Sequence, residues 1–148
     1  MRVIFMTLPL SLLLGAGPCP TRAPAGGTSK AASRKTTESL AAALRAGGFA
    51  VRLAADTISQ PFFSVSARVL VVDEADLQVY EYPTSAAAGA DAAKISPSGS
   101  PIGTSMPNWM RPPHIYRQDN LILIYLGDNP RVRAALEAQA GRQIAGAP

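Results

Sequence analysis

The stretch Asn108–Gly127, "NWMRPPHIYRQDNLILIYLG", decides how this chain folds, and it holds the only Trp and the only His of the 148 residues. Two strand-like runs, "HIYR" and "LILIYL", flank Gln118-Asp119-Asn120, residues suited to a tight turn, so the stretch reads as a β-hairpin. With the turn at Asp119-Asn120, His114 faces Tyr125 and Tyr116 faces Leu123 on one side. Ile115, Arg117, Ile122 and Ile124 then take the other side, because successive strand side chains alternate. If all three of Gln118, Asp119 and Asn120 form the loop, every pairing slips by one. In the first register the isoleucine face must be core, and the His/Tyr face carries polar tips. Pro112-Pro113 stiffen the entry to the first strand.

Upstream, "RVLVVDEADLQVYEYP" (residues 68–83) reads as a second hairpin with Asp73, Glu74, Ala75 and Asp76 at its tip. There Gln78, Tyr80 and Tyr82 share one face, opposite Leu77 and Val79. "FAVRLA" (49–54) alternates as a half-buried strand, and Pro61 in "TISQPFFSV" suits an edge or a turn. Three helices complete the pattern. One follows the hydroxyls of "TTESLAAALRAGG", with Leu40 and Leu44 on one face and Gly47-Gly48 as the stop. A short Ala-rich helix follows Thr84 or Ser85. The last starts at Asp128 or Asn129 with Pro130 in its first turn and stops at Gly141; Val132, Ala135, Leu136 and Gln139 share a face. Hairpins dominate, without a regular strand–helix–strand alternation. The expected fold is therefore α+β: two layers, an antiparallel or mixed sheet of about five strands, with helices on one face. Between Ser96 and Pro113 lies a long irregular segment, whose small-residue half "SPSGSPIGTS" reads as mobile and whose "MPNWMRPPH" half reads as fixed.

The front of the chain is of another kind. Met1-Arg2 precede an uncharged apolar run from Val3 to Leu14, followed by "GAG". At about 12 residues the run is too short to span a bilayer, which needs about 20. A basic start, an apolar middle and small residues beyond it make residues 1–17 a signal peptide. The only cysteine, Cys19, stands just behind. That is the position of the lipid-bearing Cys of bacterial lipoproteins, although Pro18 departs from the usual cleavage box. Membrane anchoring through Cys19 and plain release are both open. Residues 18–35, rich in Pro, Gly, Ala, Ser and Thr, form a flexible tether. Residues 36–148 then make a single domain, exported to the cell envelope.

Composition excludes several chemistries. The net charge is +4, but from residue 40 onward nine cations meet nine anions. The excess sits in Arg2, Arg22, Lys30, Arg34 and Lys35, less Glu38. A neutral domain has no electrostatic footprint for nucleic acid. One His and no thiol in the domain leave no multi-histidine or thiolate metal site, and no phosphate-binding glycine loop or other cofactor motif is present. Asp73, Glu74 and Asp76 lack the spaced ligands of a calcium loop and read as a solvated turn.

Histidine is the side-chain type suited to acid–base work near neutrality, and this chain has one, His114. If the two tyrosine-bearing faces coincide, the outer surface of the sheet is aromatic and hydrogen-bonding, bordered by Trp109 and Arg111. The candidate ligand-binding residues are therefore Trp109, Arg111, His114, Tyr116 and Tyr125. Against this, a His at a strand start is commonly structural, and a Trp in a Pro-bounded loop commonly caps a core. The segments "QPFFSV", "LQVYEYP", "W…PPHIYRQDNLILIYLGDNP" and the terminal "GRQIAG" are similar to a group of small secreted or lipoprotein-like bacterial proteins of unknown function, across residues 36–146. That resemblance implies no activity. The expectation is a non-catalytic module binding a ligand or protein partner outside the cytoplasm. The alternative is a small hydrolase using His114 as general base.

Overall fold

A computed structural model describes residues 34–148. The signal segment, Cys19 and most of the tether lie outside the described residues. The domain is α+β, with three helices and a six-stranded sheet: α1 Thr37–Ala46, β1 Val51–Ile58, β2 Ala67–Val72, β3 Ala75–Glu81, α2 Ser85–Ala92, β4 Pro113–Gln118, β5 Leu121–Leu126, α3 Pro130–Ala140 and β6 Ala145–Gly146. The strands lie in the order β1-β2-β3-β5-β4-β6, and every neighbouring pair is antiparallel. No described helix is long and apolar enough to cross a membrane.

Local chemistry accounts for the element ends. Thr36 caps α1, and Ser39 returns the bond to the Thr36 backbone as a capping box. Thr84 caps α2, and Asn129 caps α3 with Pro130 at its start, where the missing N–H is no loss. The β2–β3 turn is narrower than four residues. Asp73 and Glu74 alone form it, both at positive φ (45° and 71°), while Ala75 and Asp76 already pair within β3. The β4–β5 turn is Asp119-Asn120, so His114 pairs with Tyr125, Ile115 with Ile124 and Tyr116 with Leu123. This is the first of the two registers set out above. Asn120 fixes the turn, because its buried side-chain amide donates to the Lys35 and Tyr82 carbonyls and accepts from the Lys35 N–H. The chain is thus held against the sheet from Lys35 onward, just inside the stretch expected as tether.

Two cores result, one on each face. On the first, Leu40, Ala41 and Leu44 of α1 and Val132 and Leu136 of α3 pack on Leu70, Val72, Leu77, Val79, Tyr116, Leu123 and Tyr125. On the second, Ala88 of α2, Phe62, Phe63 and Ile102 pack on Ala67, Tyr80, Tyr82, Ile115, Ile122 and Ile124. Two helices share a face as expected, while α2 and the long irregular segments cover the other. The half of 96–113 expected to be mobile is tied down. Ile102 is fully buried, Trp109 Nε1 donates to the Gly99 carbonyl at 3.0 Å, and the Ser96 N–H reaches the Pro101 carbonyl at 3.0 Å. Met106 and Met110, in the half expected to be fixed, are exposed large apolar side chains.

The placement of the tyrosines departs from expectation. Tyr80 pairs with Ile122 and Gln78 with Ile124, so Gln78, Tyr80 and Tyr82 belong to the isoleucine face. His114, Tyr116 and Tyr125 occupy the opposite face, under α1 and α3. The two tyrosine sets do not coincide, and neither lies on an outer surface. The cause is visible in β5. "LILIYL" is a continuous apolar run, which marks a strand buried on both faces and not a half-exposed one. Tyr80 settles its hydroxyl on Gln78 Oε1 at 2.9 Å. Tyr82 settles its own on Asp91, which also accepts from Ser64 and Lys94 and so ties the 59–66 loop to α2.

The two sheet edges differ. β6 pairs with β4 at His114 and Ile115, and the flanking Ile144 and Ala147 N–H groups donate to the Ile115 and Pro113 carbonyls. β1 forms the open edge, mostly exposed, and slips by two residues against β2 between Leu53 and Thr57.

Candidate functional site

At the end of the sheet where the β2–β3 turn, the start of β4 and the end of β5 meet, Asp73, Glu74, Ala75, Arg111, Tyr125, Asp128 and Asn129 line a hollow of about 290 Å³. Register brings them together. Asp76 pairs with Leu126 and Pro113 pairs with Leu126, so the Asp73-Glu74 turn, Arg111 and the Gly127–Asn129 segment leave the sheet at one level.

Tyr125 forms the floor. It has no exposed surface, and no hydrogen bond of good geometry reaches its hydroxyl among the described residues, although the Asn129 backbone N–H lies close enough to act on it. The hydroxyl end lies against Gly127, where an added Cβ would stand 2.6 Å from Oη and 2.8 Å from the Ala75 Cβ. Only glycine leaves room there. Burial raises the Tyr125 pKa, and the Asp128 and Asp73 charges add to the rise, while the Asn129 backbone and Arg111 oppose it. The hydroxyl is therefore neutral, a donor and acceptor together.

The rim carries charge of both signs. Asp73 accepts the Ala50 N–H on Oδ1 at 2.9 Å, which leaves Oδ2. Among the described residues Glu74, Asp128 and Arg111 make no side-chain hydrogen bond and no ion pair; the pairs that do form, Arg68–Glu38 and Lys94–Asp91, lie elsewhere. Asn129 spends its Oδ1 on capping α3, through the Arg131 N–H at 3.0 Å. Three carboxylates and one guanidinium thus surround a small space without neutralising one another. No group of three or more His, Cys, Asp or Glu among the described residues is arranged to hold a metal ion.

Of the five residues expected to bind ligand, Arg111 and Tyr125 meet in this hollow. His114 stands behind it, buried, with its ring centroid 6.2 Å from that of Tyr125. Gln143 Nε2 donates to the Ala147 carbonyl at 2.6 Å, so its Oε1 must accept, and His114 Nδ1 is the donor at 3.0 Å. Tyr116 lies farther along the same face beneath α3. Its hydroxyl is also without a partner, and its pKa is raised by burial and by Glu137, with Arg133 opposing. Trp109 belongs to the other face, half-buried, its ring edge-on to Phe62 at 6.4 Å between centroids. It caps the second core.

Sequence reading did not select Asp73, Glu74, Asp128 or Gly127 for a site. The first two looked like a solvated turn and the third like a helix cap. The signal that could have found them is the pairing of the two hairpins with each other, which no single hairpin encodes. Comparison of the chain with protein-family models, with curated proteins and with solved structures finds no match.

Proposed function

We propose that this chain is an exported, non-catalytic α+β module that binds a ligand or protein partner outside the cytoplasm. The observation that carries the binding half is the hollow at Tyr125, where a buried hydroxyl without a hydrogen bond of good geometry sits under unpaired charges of both signs. Buried polar groups without partners are uncommon in native proteins, and a ligand is one way to satisfy them. Export rests on residues 1–17, and membrane tethering on the place of Cys19 directly behind the apolar run. The balanced charge of the domain supports a partner other than nucleic acid.

The hydrolase alternative draws little support. A general base must reach the proton that it removes, and His114 is buried with Nδ1 committed to an amide. The test is the intact mass of the mature protein from its native membrane and soluble fractions. Loss of the first 17 or 18 residues is expected, with a diacylglyceryl mass on Cys19 if the chain is anchored. A cytosolic polypeptide that still carries Met1 would overturn the reading.

A further inference from the structure

The domain keeps its sulfur on the outside. Of the four methionines, Met1 and Met6 precede the domain, and Met106 and Met110 are the only sulfur-bearing side chains among the described residues. Methionine ordinarily fills gaps in a core, yet both cores here are built of Leu, Ile, Val, Ala, Phe and Tyr without it. Met106 is 76% exposed and Met110 95%. We propose that, whatever the chain binds, these two thioethers form a site of reversible oxidation, which turns one apolar loop polar without disturbing the fold.

The backbone around them is held, so their exposure is fixed by the fold. Ahead of Met106, Ile102 is fully buried and exchanges backbone bonds with Ser105 at 2.9 and 3.0 Å. Between the two methionines, Trp109 is anchored through Nε1 to the Gly99 carbonyl and stands edge-on to Phe62. The side chains at 106 and 110 therefore reach into solvent, where an oxidant meets sulfur unhindered. That oxidant is hydrogen peroxide. A sulfur lone pair forms the bond to one peroxide oxygen as the O–O bond breaks. The leaving hydroxide takes the proton of the transferred oxygen and departs as water. Sulfur is oxidised by two electrons, and the peroxide is reduced by two. The product is a sulfoxide, a polar and chiral side chain in place of an apolar one. A sulfoxide reductase reverses the step with two thiols, which end as a disulfide while the oxygen leaves as water. Oxidation of a core methionine disrupts packing, but side chains this exposed have little packing to lose.

The experiment treats the full chain with hydrogen peroxide and maps oxygen uptake by peptide mass spectrometry. In the folded protein Met106 and Met110 should each gain one oxygen at a rate within about fivefold of that of N-acetylmethionine amide, an unhindered thioether. The unfolding temperature should move by no more than about 3 °C. The oxidised protein should leave a hydrophobic-interaction column earlier than the untreated one. Met1, Met6 and Cys19 react as well, so the Met106→Leu/Met110→Leu protein is the control. It keeps the loop apolar, and after peroxide it should be retained longer than the treated parent. Incubation with the two epimer-specific sulfoxide reductases and a dithiol should return both residues to the thioether. A slower rate at either methionine would overturn the proposal, and so would a larger fall in unfolding temperature. Equal retention of the treated parent and the treated double variant, or a sulfoxide that resists both reductases, would do the same.

Discussion

Removing one oxygen should make this protein more stable. The Tyr116 hydroxyl is wholly buried between the sheet and α3 and has no partner among the described residues. Burying an unsatisfied hydroxyl costs about 1–3 kcal/mol, because its bonds to water are lost and nothing replaces them. Tyr116→Phe abolishes that cost and leaves a void of one oxygen, roughly 10 Å³, worth about 0.2 kcal/mol against the fold. The expected net effect is a gain of about 1 kcal/mol, or roughly 4 °C in Tm for a domain of this size. Tyr80→Phe is the matched contrast. Tyr80 is equally buried, but its hydroxyl bonds Gln78 Oε1 at 2.9 Å, and Gln78 is buried too. The substitution orphans that oxygen and should destabilise by about 1–2 kcal/mol. Urea unfolding followed by the fluorescence of Trp109 and by far-ultraviolet circular dichroism measures both variants on one scale. If Tyr116→Phe loses more than about 1 kcal/mol, the hydroxyl is bonded in solution, Arg133 being the cation that acts on it, and the argument from orphaned hydroxyls fails for Tyr125 as well.

Other outcomes follow from the same geometry. Gly127→Ala drives a Cβ to within 2.6 Å of the Tyr125 hydroxyl and should cost about 1–3 kcal/mol by thermal unfolding, with loss of the hollow. Asp91 is subject to opposing effects: burial raises its pKa, and bonds from Lys94, Ser64 and Tyr82 outweigh burial and hold it at about 2. A carboxylate depressed in the folded state contributes fully above its unfolded value near 4 and loses that contribution as pH falls towards about 2. Acid titration of stability should therefore show a loss of about 2 kcal/mol between about pH 5 and pH 1 that Asp91→Asn lacks. The Arg68–Glu38 pair joins β2 to α1 but is substantially exposed, so Glu38→Gln should change stability by no more than about 0.5 kcal/mol. A larger loss would mean that the pair orients α1.

Much of the fold is legible in the residues. Asp119-Asn120 set the β4–β5 register, and that register put His114 opposite Tyr125. Thr36, Thr84, Asn129-Pro130 and Gly141 mark helix ends because caps act locally, through groups three or four residues apart. The faces were harder to assign. Which side of β3 meets which side of β5 depends on the crossing from one hairpin to the other, and 31 residues separate Glu81 at the end of β3 from Pro113 at the start of β4. Alternation within a hairpin says nothing about that step, so it leaves open whether Tyr80 and Tyr82 lie beside Tyr116 and Tyr125; they lie across the sheet. The hollow suffers from the same limit. Asp73, Arg111 and Asp128 are far apart in sequence and meet only through strand pairing. β6, two residues long, carries no periodicity to read.

The slip in β1 bears on how the molecule tolerates its own company. An uncovered sheet margin with a row of unused N–H and C=O groups invites a strand from a neighbouring molecule, and Leu53, 43% exposed, would favour the contact. Two surplus residues between Leu53 and Thr57 break the margin, so a straight intruder stays in step for three residues at most before its bonds miss. Excising Ala54 and Ala55 would restore the ladder, and the shortened protein should cloud at concentrations where the parent stays clear. At high concentration, that small irregularity works against edge-to-edge association.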